Sequence, residues 1–151
     1  TAVGVDGCSI PTFAIPLRNI AHGFAKFGSG QGLGPARAKA AARLRKAVAA
    51  EPFFVAGSER FDTVVMEALR ERAFIKTGAE GVYCAALPEV GLGIALKIED
   101  GAGRAAETVM AALLARFLKL SEAEAAIVVP RTDFSMKNWN GIEVGRMLAA
   151  L

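Results

Sequence analysis

The chain has 151 residues, 53% of them hydrophobic and 22% charged, with a formal net charge of +3. That is enough apolar material for one core of ordinary domain size, and the mild basicity is not interleaved with aromatics as a nucleic-acid surface would be. Two distant cysteines, Cys8 and Cys84, point away from a disulfide framework and towards a reducing, cytoplasmic compartment, and no apolar run is long enough to cross a bilayer.

In chain order, residues 1–16 read as a loop with a turn at Asp6-Gly7. Leu17, Ile20, Ala21, Phe24 and Phe27 recur at helical spacing, with Pro16 suited to the first turn and Gly28 to the end. After the glycine-rich stretch 28–34, Pro35 opens a second helix to about Ala50. Its basic residues between Arg37 and Lys46 are diluted by alanines and form a solvated face. A third helix is expected from Asp62, as N-cap, to about Glu71.

Then the pattern changes. Residues 72–76, 81–87 and 92–98 are short runs with β-branched or aromatic residues, separated by small turns, and predict an antiparallel meander. A fourth helix follows over 102–120, with Ala105, Val109, Leu113, Phe117 and Leu120 on one face, and Ser121 suits the cap of a further short helix. Residues 138–145 read as a turn followed by a strand. The fold class expected is α+β. Residues 1–71 are assigned to part of a helical lobe, and 72–151 to an antiparallel sheet with a covering C-terminal helix and tail.

Two clusters carry candidate chemistry. Lys76-Thr77-Gly78 ends the first strand of the meander. An ammonium beside a nucleophilic serine eases alkoxide formation and relays its proton. A neighbouring hydroxyl suits a substrate carboxylate, and a glycine lets substrate approach the strand backbone. The same triplet is also compatible with an ordinary strand end and turn. The loop Gly4-Val-Asp-Gly-Cys-Ser-Ile-Pro11 brings together a carboxylate, a thiol and a hydroxyl. Its cysteine is open to three readings: nucleophile, metal ligand or small buried apolar group. His22 reads as a helix-surface residue, and Tyr83 and Trp139 as packing residues.

The triplet resembles the Lys-Thr-Gly of penicillin-recognising serine hydrolases, which lies on the strand bordering their active site. More specifically, Gly4 to Leu17, Val55 to Phe61, Lys76 to Gly81 and Asn138 to Gly145 resemble, in that order, the bacterial L-asparaginase II family. The resemblance covers essentially the whole chain. It implies a β-lactamase/penicillin-binding-protein-like scaffold and hydrolysis of L-asparagine to L-aspartate and ammonia through two Ser–Lys pairs. Lys76 would be the lysine of the second pair. Asp6, Thr77 and Gly78 would line the substrate, and Cys8 would be one ligand of Zn²⁺, with the serines and other ligands upstream. A homodimer is the family expectation.

With Thr1 first and no methionine before Met66, the chain is expected to be the carboxy-terminal half of a longer protein, inactive in isolation. One departure from the family stands out. Some members carry Arg-x-Cys-Thr where this chain has Arg60-Phe61-Asp62-Thr63. Three other readings remain open: a glutaminase-like serine amidohydrolase, an inactive fragment or binding module, and an N-terminal hydrolase using Thr1.

Overall fold

The computed structural model describes residues 2–151, which form an α+β arrangement of helices and antiparallel sheets. The amino end is a hairpin, β1 (Val3–Val5) and β2 (Pro11–Phe13), where a loop was expected. Its side chains are exposed on both faces, so no hydrophobic alternation marks it. Helices α1 (Leu17–Ser29) and α2 (Pro35–Ala50) follow, the second opened by Pro35 at its start. The four-residue α3 (Phe53–Ala56), unforeseen in the sequence, leads into α4 (Phe61–Leu69).

The meander is β3 (Phe74–Thr77), β4 (Val82–Leu87) and β5 (Leu92–Lys97), with β4 in the centre. Helices α5 (Gly103–Phe117) and α6 (Glu122–Val128) then precede a last hairpin, β6 (Asp133–Lys137) and β7 (Glu143–Leu148). Ser121 and Glu124 close a reciprocal capping box on α6. The tail strand pairs with β6, a strand not expected from the sequence, across the turn that holds Trp139. That tryptophan is fully exposed at 105%, not packed. Among the described residues, no helix is long and apolar enough to cross a membrane.

The strand period of two sorts the meander between two helical layers. Ile75, Ala85 and Ile94 lie in register, as do Thr77, Tyr83 and Leu96. On this face the buried core joins Ile75, Tyr83, Ala85, Leu87, Ile94 and Leu96 to Val65, Met66 and Leu69 of α4 and to Ala106, Met110 and Leu114 of α5. The opposite face carries the rows Phe74–Ala86–Gly93 and Lys76–Cys84–Ala95 and receives α1. Phe24 and Phe27 of α1 meet Phe74 at ring-centroid separations of 6.1 and 5.1 Å. A Cβ on Gly28 would stand 3.1 Å from the Ala86 methyl, so helix and sheet meet through their smallest residues.

β3 is an edge strand, and edge N–H groups need partners. Helix α4 supplies them. The N–H of Ile75 is directed to the Met66 sulfur at 3.5 Å, and that of Thr77 donates to the Asp62 carboxylate at 2.9 Å. The expected N-cap role of Asp62 is therefore corrected. Arg60 occupies the cap position, and Asp62 turns inward from the first turn of α4.

Arg72 ties the turns at one end together. Its guanidinium grips Glu89 through two bonds of 2.8 Å, reaches Glu124 at 2.5–2.6 Å and donates to the Lys119 carbonyl at 2.9 Å. The planar fork of arginine suits such bidentate contacts.

Candidate active site

Lys76, Thr77 and Gly78 run from the end of β3 into the turn towards β4. Pleating places Lys76 on the α1 side of the sheet, opposite Cys84, and Thr77 on the α4–α5 side, opposite Tyr83. The Lys76 side chain is exposed, and its ammonium donates to the Thr77 carbonyl at 2.7 Å. The Thr77 hydroxyl donates to the Gly78 carbonyl at 3.3 Å. Gly78 donates its N–H to the Val82 carbonyl at 2.8 Å, closing the turn. A Cβ at Gly78 would lie 3.0 Å from that of Val82, so this turn is tight enough to favour glycine.

Beneath the triplet lies a carboxylate–phenol pair. Asp62 is fully buried, accepting from the Thr77 N–H with one oxygen and from the Tyr83 hydroxyl with the other. Burial pushes the Tyr83 phenol far above its usual range, and the hydrogen bond to Asp62 adds to the effect. The tyrosine therefore stays protonated and remains a donor. Glu107 of α5 is half-buried in a cleft of about 360 Å³ with Phe61, Arg131 and Phe134. Burial raises its carboxyl, and Asp62 adds to this, while Arg60 and Arg131 counter it.

This buried pair was the feature of the region least visible in the sequence. Asp62 falls on the stripe of Val65, Met66 and Leu69, three, four and seven residues on. A carboxylate on a buried helical stripe demands a partner, and that placement is the signal that could have revealed it. Tyr83, expected as a packing residue, is buried and also serves as that partner.

Asp6 and Cys8 sit together on the turn of the β1–β2 hairpin. The Cys8 thiol is exposed, 3.8 Å from Asp6 Oδ2, and Asp6 Oδ1 accepts the Gly7 N–H at 2.7 Å. Ser9 completes the turn with a φ of 68°, its N–H donating to the Asp6 carbonyl. A thiolate and a carboxylate are half of a tetrahedral zinc shell. Among the described residues, no group of three His, Cys, Asp or Glu side chains could hold a metal. These residues alone do not fit a zinc ion.

The second cysteine, Cys84, is buried, and burial pushes its thiol up, which suits an unreactive group. His22 is exposed on α1, as a surface residue should be. Thr1, the nucleophile of the N-terminal-hydrolase reading, lies outside the described residues.

The sequence candidates stand in two groups, each local in the chain. One is the Lys76–Thr77–Gly78 strand end, and the other is the Asp6–Cys8 turn. A family model described as L-asparaginase II matches residues 1–149, spanning both groups. A comparison with curated proteins gives no match.

Proposed function

The chain belongs to the L-asparaginase II family, and on that premise we propose that it contributes the strand side of a site that hydrolyses L-asparagine to L-aspartate and ammonia. The observation that carries this reading is the exposed Lys76 ammonium at the end of an edge strand, followed directly by a hydroxyl and a glycine. In the proposed reaction a serine outside this chain attacks the side-chain amide carbon of asparagine. Lys76 takes part in moving the hydroxyl proton towards the departing ammonia. Water then cleaves the acyl-enzyme ester, releasing aspartate and restoring the serine. Thr77 offers a hydroxyl for the substrate carboxylate, and Gly78 leaves the strand backbone open to approach.

Asp6 and Cys8 are assigned to the substrate side and to a metal, respectively. The resemblance that suggests zinc at Cys8 also requires further ligands from outside this chain, and the metal would organise the site. Cys8→Ser in the intact protein, followed by metal analysis, tests that ligand; undiminished zinc rejects it.

The decisive test of the main reading is Lys76→Ala in the intact protein, followed by ammonia release from asparagine. A loss of about 100-fold or more in kcat is expected for a proton-transfer group. An unchanged kcat rejects the role. Parallel assays with glutamine separate asparaginase from glutaminase-like activity.

A further inference from the structure

Asp62 is a buried carboxylate that the proposed chemistry does not use. It is 0% exposed and stands on the apolar stripe of α4, where an unpartnered charge would be costly. Its two oxygens have divided duties. Oδ1 accepts the Thr77 N–H at 2.9 Å, and Oδ2 accepts the Tyr83 hydroxyl. The Thr77 N–H belongs to the peptide unit that joins Lys76 to Thr77. It points away from β4, so no strand of the meander holds it. The Thr77 carbonyl is held in turn by the Lys76 ammonium at 2.7 Å. Lys76 itself pairs with Cys84 of β4 on the inner edge, and on the outer edge the same peptide unit is held by one side-chain contact from α4.

We infer that Asp62 is a positioning residue for Lys76: through the Thr77 N–H it anchors the outer edge of the peptide plane from which the lysine side chain departs. Tyr83 holds the carboxylate in place from the neighbouring strand. This inference rests on the reading of Lys76 as the proton-moving group. The precision required is high, because a misplacement of about 1 Å costs on the order of 100-fold in rate.

The test compares Asp62→Ala, Asp62→Asn and Lys76→Ala in the intact protein, below the melting temperature of each variant. Asparagine retains an oxygen that can accept the Thr77 N–H, whereas alanine does not. Asp62→Ala is expected to lose roughly 10- to 100-fold in kcat with KM changed by less than about threefold. Asp62→Asn is expected to restore kcat to within about threefold of the parent. A purely structural role would lower the melting temperature without this split between kcat and KM. If Asp62→Ala does not fold, Tyr83→Phe replaces it, with a several-fold loss of kcat expected. Unchanged kcat in Asp62→Ala, or in Tyr83→Phe where that replaces it, overturns the positioning role while Lys76→Ala remains inactive. Full activity in Lys76→Ala overturns the reading of the site itself, which is a different result.

Discussion

Gly93 of β5 lies so close under Ala21 of α1 that a Cβ built on it would stand 1.9 Å from the Ala21 carbonyl oxygen and 2.3 Å from the Ala25 nitrogen. Both obstacles are helix backbone, which cannot swing aside as a side chain can. Contact between the helix and this face of the sheet therefore depends on a missing methyl group. Gly93→Ala should force α1 off β5 and destabilise the protein by about 3 kcal/mol, the upper part of the range for overpacking. In thermal unfolding followed by circular dichroism, that corresponds to a fall of roughly 10 °C. An unchanged melting temperature would mean that α1 has slack against the sheet.

Arg72 gives a stability contribution with a defined pH window. Its hydrogen bonds hold the Glu89 and Glu124 carboxyls below their ordinary range. A depressed carboxyl stabilises the fold above its unfolded pKa, near 4.3, and that stabilisation is lost as pH falls through the folded value. The pairs are partly exposed, with the Arg72 side chain at 29%, so solvent screening limits the effect. Arg72→Met should cost about 1 kcal/mol at pH 7. The gap between variant and parent melting temperatures should shrink between pH 5 and pH 3. A gap that stays constant across that span would assign the loss to packing of the arginine stem.

Tyr83 sets the alkaline limit. Its phenol is raised by burial and by Asp62, whereas an unfolded tyrosine ionises near pH 10. Above that pH the unfolded chain loses a proton that the folded chain keeps, so stability is full below about pH 10 and falls as pH rises further. Tyr83→Phe should flatten this decline. Parallel melting curves for parent and variant from pH 9 to pH 11 would contradict the assignment.

Much of the scaffold was legible in the residues. The meander showed because glycine or proline turns at Gly78, Gly81, Pro88, Gly91 and Gly101 separate and end the short apolar runs Phe74–Thr77, Val82–Leu87 and Leu92–Lys97. α1 and α2 showed because Pro16 and Pro35 mark their starts. The β1–β2 hairpin did not show, because residues exposed on both faces leave no period to detect. The candidate site divides in the same way. Lys76-Thr77-Gly78 is a contiguous motif and was readable. Its link to Asp62 joins residues 15 apart in sequence, and the Asp62–Tyr83 contact joins residues 21 apart. Asp62 close to a helix start looks like a cap, the commonest use of aspartate there. Only the fold shows that Arg60 takes the cap and that the carboxylate turns towards the strands.

Glu107 works against stability at neutral pH. Burial raises its carboxyl and the nearby Asp62 adds to this, while Arg60 and Arg131 offset part of the cost. A raised carboxyl has the opposite sign to Glu89 and Glu124: its contribution is full below the unfolded pKa, near 4.3, and is lost as pH rises through the folded value. Glu107→Gln keeps the shape and removes the charge. It should raise the melting temperature at pH 7 by roughly 2 °C and leave it unchanged at pH 4, where the parent side chain is already largely protonated. The cleft it lines with Phe61 and Arg131 is open to water, which keeps the gain small. An equal gain at both pH values would show that shape, and not charge, is what the substitution relieves. A loss of stability at pH 7 would mean that the attraction of Arg60 and Arg131 outweighs the cost of burying the carboxylate.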